Sequence, residues 1–79
     1  MPNPARILER VRRRPTELSF DQLKLLLIDI GWLVREGKGS HVVLKSPRGF
    51  NITAARKNNQ VKQVYLDMIL KEIDKGEGE

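Results

Sequence analysis

The sequence predicts an α+β fold: a three-stranded antiparallel sheet with helices packed on one face, in the order α-α-β-β-β-α. Three observations predict it. Residues 20–30 carry apolar side chains at helical spacing and run into Gly31. Three short runs follow, "WLVRE", "SHVVLKS" and "FNITAAR", parted by the turn signals "GKG" and "PRG". The next stretch, "VKQVYLDMILKEID", returns to helical spacing. A three-stranded sheet has one face that helices can cover, which leaves the other open to solvent.

Each element has its own local reason. Residues 3–14 predict a first helix, with Asn3 as its cap, Pro4 in its first turn and Pro15 as its stop. Ile7, Leu8 and Val11 form its apolar stripe, and the arginines, including the Arg12–Arg14 cluster, lie largely off that stripe. In the second helix Ser19 and Gln22 fit a capping box, Asp21 complements the helix dipole, and Gly31 suits the left-handed C-cap. Phe20, Leu23, Leu26, Leu27 and Ile30 are its core face. "KNNQ" reads as a polar loop before the final helix. On that helix Val61, Val64, Tyr65, Leu66, Met68, Ile69 and Ile73 form a wide apolar face, and residues 75–79 are a frayed tail.

Composition excludes several classes of function. With 79 residues the chain is expected to be a single domain over 1–79, too small for a deep pocket, so a site belongs on an open surface. It has no cysteine, hence no disulfide and no thiolate chemistry. One histidine among scattered carboxylates predicts no metal site, and nothing in the sequence calls for a cofactor. The N-terminal residues lack the apolar core of a signal peptide, and "LLLI" falls far short of the roughly 20 residues that span a membrane. A cytoplasmic protein with no membrane association is expected. The net charge is +5. Seven cations (Arg35, Lys38, Lys45, Arg48, Arg56, Lys57 and Lys62) stand against Glu36 alone in residues 33–62. A basic middle in a small domain points to phosphate-bearing partners.

Alternation along the strands sorts the side chains. Phe50, Ile52 and Ala54 are expected inward, as are Val42 with Leu44 and Trp32 with Val34. The open face then carries Leu33, Arg35, His41, Val43, Lys45, Asn51, Thr53 and Ala55. It lacks the paired aromatics that stack on single-stranded bases, and is expected to bind phosphate rather than read bases.

His41 is the single titratable group with catalytic range on that face. An imidazole titrates near neutral pH and can take or give a proton. RNA brings its own nucleophile, the 2′-hydroxyl, so a ribonuclease needs a proton-transfer group and donors for the charge building on phosphate. Arg35, Lys38, Lys45, the Ser40 hydroxyl and the amides of the Gly37–Gly39 turn could supply those donors. A surface histidine with no chemical role is the other reading, and the residues alone leave both open. Adjacent Ser40 and His41 make a poor triad geometry, and Gly37-Lys38-Gly39-Ser40 lacks the spacing of a nucleotide-binding P-loop.

The segment "GWLVREGKGSHVVLKSP" resembles the signature of HicA-type toxins, with Gly31, Trp32, Arg35, Gly39, Ser40 and His41 matching in order and spacing. The resemblance extends over roughly residues 5–74 and implies a fold like the double-stranded RNA-binding domain. It also implies the activity of an mRNA interferase: a metal-independent endoribonuclease that cleaves mRNA and blocks translation, as the toxin of a toxin-antitoxin pair. His41 takes the place of the catalytic histidine. The implied partners are mRNA and a HicB-type antitoxin, and the free protein is expected to be a monomer. The sequence departs from the family at the end of the third strand. Ala54 and Ala55 stand where a proline and a second histidine or polar residue are common, and Arg56 and Lys57 are the substitutes expected to contact phosphate. A non-catalytic RNA-binding module, or a partner-binding domain without activity, is the alternative on the same fold.

Overall fold

The structure, a computed structural model, describes residues 3–37 and 39–77, the last by its backbone alone. The elements run α1 (Pro4–Arg12), β1 (Glu17–Ser19), α2 (Phe20–Asp29), β2 (Leu33–Glu36), β3 (His41–Lys45), β4 (Asn51–Lys57), β5 (Gln60–Lys62) and α3 (Gln63–Glu77). The fold is α+β as predicted, but the sheet has five antiparallel strands, ordered β1-β5-β4-β3-β2.

One additional strand includes Ser19, expected as a helix cap, and the other takes Gln60 from the expected loop and Val61 and Lys62 from the expected start of the final helix. Asn58 and Asn59 take φ of 51° and 60°, the pair of left-handed residues that a two-residue hairpin turn requires, so "KNNQ" turns β4 directly into β5. Residues 17–19 then pair with β5, Leu18 opposite Val61 and Ser19 opposite Gln60. The amide of Phe20 is bound by the Asn59 carbonyl at 2.8 Å. Ser19 therefore makes no side-chain cap to α2, and Gln22, its expected capping-box partner, instead accepts a bond from Arg10.

Other local expectations hold. The Asn3 side chain caps α1 by accepting from the Ala5 amide at 2.9 Å, although the helix closes at Arg12, ahead of Arg14, whose φ is 56°. Helix α2 ends in a Schellman motif. Gly31 has φ +91°, its amide bonds Ile28 O, and the Trp32 amide reaches Leu27 O at 2.8 Å. That closure drops Trp32 into the core at 4% exposure and starts β2.

The core lies between one sheet face and the helices. Leu23, Leu26 and Leu27 from α2 meet Val42, Leu44, Ile52 and Ala54 from the sheet, and Ile7, Val11, Leu66 and Ile69 complete it from α1 and α3. Each fully buried leucine or isoleucine contributes about 1.5–3 kcal/mol before chain entropy is set against it. Three expected core positions are corrected. Phe50 precedes β4 at the sheet's end and is 49% exposed, lying beside Met68 rather than under a helix. Val64 and Met68 of α3 are also exposed, because the helix turns the stripe of Leu66, Ile69 and Ile73 to the core. Helix α3 runs through Lys75 and Gly76 to Glu77, beyond its expected end at Asp74. Among the described residues, no helix is long and apolar enough to cross a membrane.

Candidate active site

Register decides what surrounds His41. Strand β3 is flanked by β2 and β4, with His41 opposite Ala55, Val43 opposite both Arg35 and Thr53, and Lys45 opposite both Leu33 and Asn51. These residues alternate with the buried Val42, Leu44, Ile52 and Ala54, so all of them project from the uncovered face, and Arg35, His41, Lys45, Asn51 and Thr53 are exposed. The β3–β4 ladder is bonded through Arg56 N to Ser40 O at one end and Ser46 N to Phe50 O at the other. By alternation His41–Ala55, Val43–Thr53 and Lys45–Asn51 are non-hydrogen-bonded pairs, in which facing side chains come closest.

His41 therefore faces a methyl group at close range. Its diagonal neighbours are Arg35 on β2 and Thr53 on β4, a separation of about 7–8 Å that a long side chain spans. Lys57 follows two residues beyond Ala55 on the same side of β4 and is exposed. Lys45 is farther away. Four residues along β3 place it about 13 Å from His41, so both cannot hold one phosphate, and Lys45 is positioned for a neighbouring one.

The turn that delivers His41 is closed by a bond from the Gly37 amide to the His41 carbonyl at 3.2 Å. Gly39 has φ +77° with open space where a Cβ would sit, so glycine is needed there for its backbone angle and not for room. Ser40 is exposed beside it. Lys38, the other expected phosphate contact in the turn, lies outside the described residues.

Arg56 is the site residue that the structure moves. It follows Ala54 on the inward side and pairs with Val61, which is fully buried. Its guanidinium sits 4.7 Å from the Phe20 ring centroid and donates to Glu36 Oε1 at 2.6 Å. Glu36 also accepts from Lys24 of α2 at 2.8 Å. The Lys24 and Arg56 hydrogen bonds hold the Glu36 carboxyl below the usual carboxylate range, against a smaller opposing effect of desolvation. Arg56 is therefore a clamp on the helix side and no phosphate contact beside His41. Sequence reasoning missed Glu36, Lys24 and Phe20 as its partners; the inward alternation of 52, 54 and 56 carried the signal.

The open face holds cations without matching acids near His41. Among the described residues its carboxylate is Glu17, at the far edge on β1 and opposite Lys62. The arrangement can bind phosphates along β2, β3 and β4 and place one imidazole beside them. No family model, curated protein or solved structure matches the chain.

Proposed function

We propose that the chain is an endoribonuclease of the HicA type, the toxin of a toxin-antitoxin pair, which cleaves mRNA with His41 as its proton-transfer residue. The observation that carries this reading is the single exposed imidazole on an uncovered basic sheet face, delivered by the Gly37–His41 turn and flanked by Arg35 and Lys57. The 2′-oxygen attacks phosphorus and the bond to the 5′-oxygen breaks, leaving a 2′,3′-cyclic phosphate and a 5′-hydroxyl. His41 takes the 2′-hydroxyl proton or gives one to the departing 5′-oxygen, and water handles the other transfer. Arg35, with Lys57, stabilises charge on the phosphate oxygens. Ser40 and Gly39 shape the turn, and Lys45 with Asn51 holds the adjoining backbone.

The test is cleavage of RNA in the presence of a chelator, with the wild type and His41→Ala compared. Wild type should yield cyclic-phosphate ends, and His41→Ala should lose activity by about 100-fold or more with its melting curve unchanged. Equal cleavage by both proteins sinks the assignment of His41. The second reading is a non-catalytic RNA-binding module of the same fold. Ala55 favours it, because the position facing His41 offers no second acid or base. It predicts retention of intact RNA at low salt and no turnover. Under the HicA reading the same face docks an acidic HicB-type antitoxin, and co-expression should abolish cleavage.

A further inference from the structure

We propose that α1 and its C-cap carry a second RNA-binding site, a ridge of Arg6, Arg10 and Arg13 that grips the backbone of the strand whose scissile phosphate lies at His41. It rests on the RNA-cleaving reading above and extends it to how far along the RNA the protein reaches.

The structure sorts the five arginines of the N-terminal segment into two groups. Arg12 is bidentate to Asp74, at 2.8 and 3.3 Å, and Arg14 is bidentate to Asp67, at 3.0 and 3.3 Å. Those two tie α1 to α3, and the Asp67 contact raises the pKa of Arg14 above its ordinary value. Arg6, Arg10 and Arg13 stand at i, i+4 and i+7, one stripe along the helix, turned away from the buried Ile7 and Val11. All three are exposed. Arg10 donates to the neutral amide of Gln22 at 2.9 Å, and Arg6 and Arg13 make no ion pair among the described residues. Glu9 lies beside the stripe without bridging to it. Three like charges in one row repel each other in the free protein, and an anionic ligand relieves that repulsion.

Arg10 and Arg13 of the ridge open onto a groove of about 470 Å³ that is lined also by Ser19, Gln22 and Gln60, by the Glu17 carboxylate and by the apolar Pro15 and Leu18. The groove lies at the β1 edge, where Ser19 and Gln60 of its wall belong to the outward side of the sheet. Lys57, two residues beyond the partner of His41, pairs with Gln60, and Gln60 pairs with Ser19. A strand leaving His41 thus passes Lys57, Gln60 and Ser19 before meeting Arg13. From β3 to β1 it crosses three inter-strand spacings, about 14 Å. The guanidinium fork matches phosphate oxygens, and the ridge arginines outnumber the groove's one carboxylate, Glu17. The ligand this favours is single-stranded RNA of a length that reaches both places.

The test compares three full-length proteins: wild type, Arg6→Gln/Arg10→Gln/Arg13→Gln, and Arg12→Gln/Arg14→Gln. Substrates are an RNA of about 30 nucleotides, longer than a single small binding fold covers, and a dinucleotide that fits only at His41. On the long RNA the ridge variant should raise KM about tenfold with kcat kept, and its salt dependence should flatten by about 2 in log-log slope. On the dinucleotide it should match wild type. The Arg12/Arg14 variant should melt earlier yet keep the wild-type slope. An unchanged KM and slope for the ridge variant overturns the second site while leaving the RNA-cleaving reading intact. A ridge variant that loses polyglutamate binding but keeps RNA binding overturns it in favour of an acidic protein. A wild type that neither binds nor cleaves RNA overturns both.

Discussion

Arg56 and Glu36 meet at 2.6 Å across the intervening strand β3, on the helix side of the sheet. The contact joins the end of β2 to the end of β4, and between those ends the chain makes the turn that presents His41. The Arg56 amide adds a main-chain bond to the Ser40 carbonyl. One residue thus braces the turn from below with its side chain and from the side with its backbone.

Removing that brace should loosen the turn before it unfolds the protein. The stack of Arg56 on Phe20 is worth about 0.5–1 kcal/mol. Arg56→Ala should therefore lower the melting temperature by about 2–8 °C. Hydrogen exchange should rise first at the His41 and Gly37 amides. Arg56→Lys keeps a charge for Glu36 but loses the planar stack, and should fall between the two.

Glu36 predicts a pH dependence with a definite sign. Its carboxyl is held below the usual range in the folded state by Lys24 and Arg56. It therefore contributes stability above the unfolded value near 4.3, and that contribution disappears as pH falls through the folded value. Thermal melts of wild type and Glu36→Gln should differ by a constant amount above about pH 5 and converge as pH falls through the lowered folded value. A gap that persists at low pH refutes the linkage.

A second acid carries structural weight at the other end of the sheet. Glu72 is 6% exposed, accepts from the Ser46 hydroxyl at 2.9 Å and lies 3.4 Å from Arg48 Nε. The Ser46 Oγ also accepts from the Phe50 amide, closing the β3–β4 turn. Ser46→Ala strips a buried acceptor of a donor and should cost about 1–3 kcal/mol in urea unfolding. On the outward side of β3, Val43→Thr should change stability by no more than about 0.5 kcal/mol.

Arg35 and Lys45 should separate kinetically if RNA is the substrate. Arg35 is diagonal to His41, whereas Lys45 is about 13 Å along β3. Arg35→Gln should lower kcat by about tenfold or more, as expected for a contact that strengthens in the transition state. Lys45→Gln should raise KM, leave kcat near wild type and reduce the salt slope by about 0.7. Equal effects on kcat would place both residues at one phosphate.

What the sequence determined by itself is what short-range periodicity encodes. The Phe20–Asp29 helix with its Gly31 closure, the alternation in "HVVLK" and "NITA", and the outward set of Arg35, His41 and Lys45 follow from spacing alone, because each strand or helix has one buried side. Tertiary structure decided whatever depends on a partner distant in sequence. Three-residue strands such as Glu17–Ser19 are too short to show a period and exist because β5 pairs with them. Arg56 reads as one more surface cation until Glu36, Lys24 and Phe20 converge on it. The arginines of the N-terminal segment look alike in sequence, and only the arrival of Asp67 and Asp74 from α3 divides two that hold the fold from three that keep their charge outward. A charge is neutralised by whichever group packs beside it, and the chain order of residues does not set that neighbour.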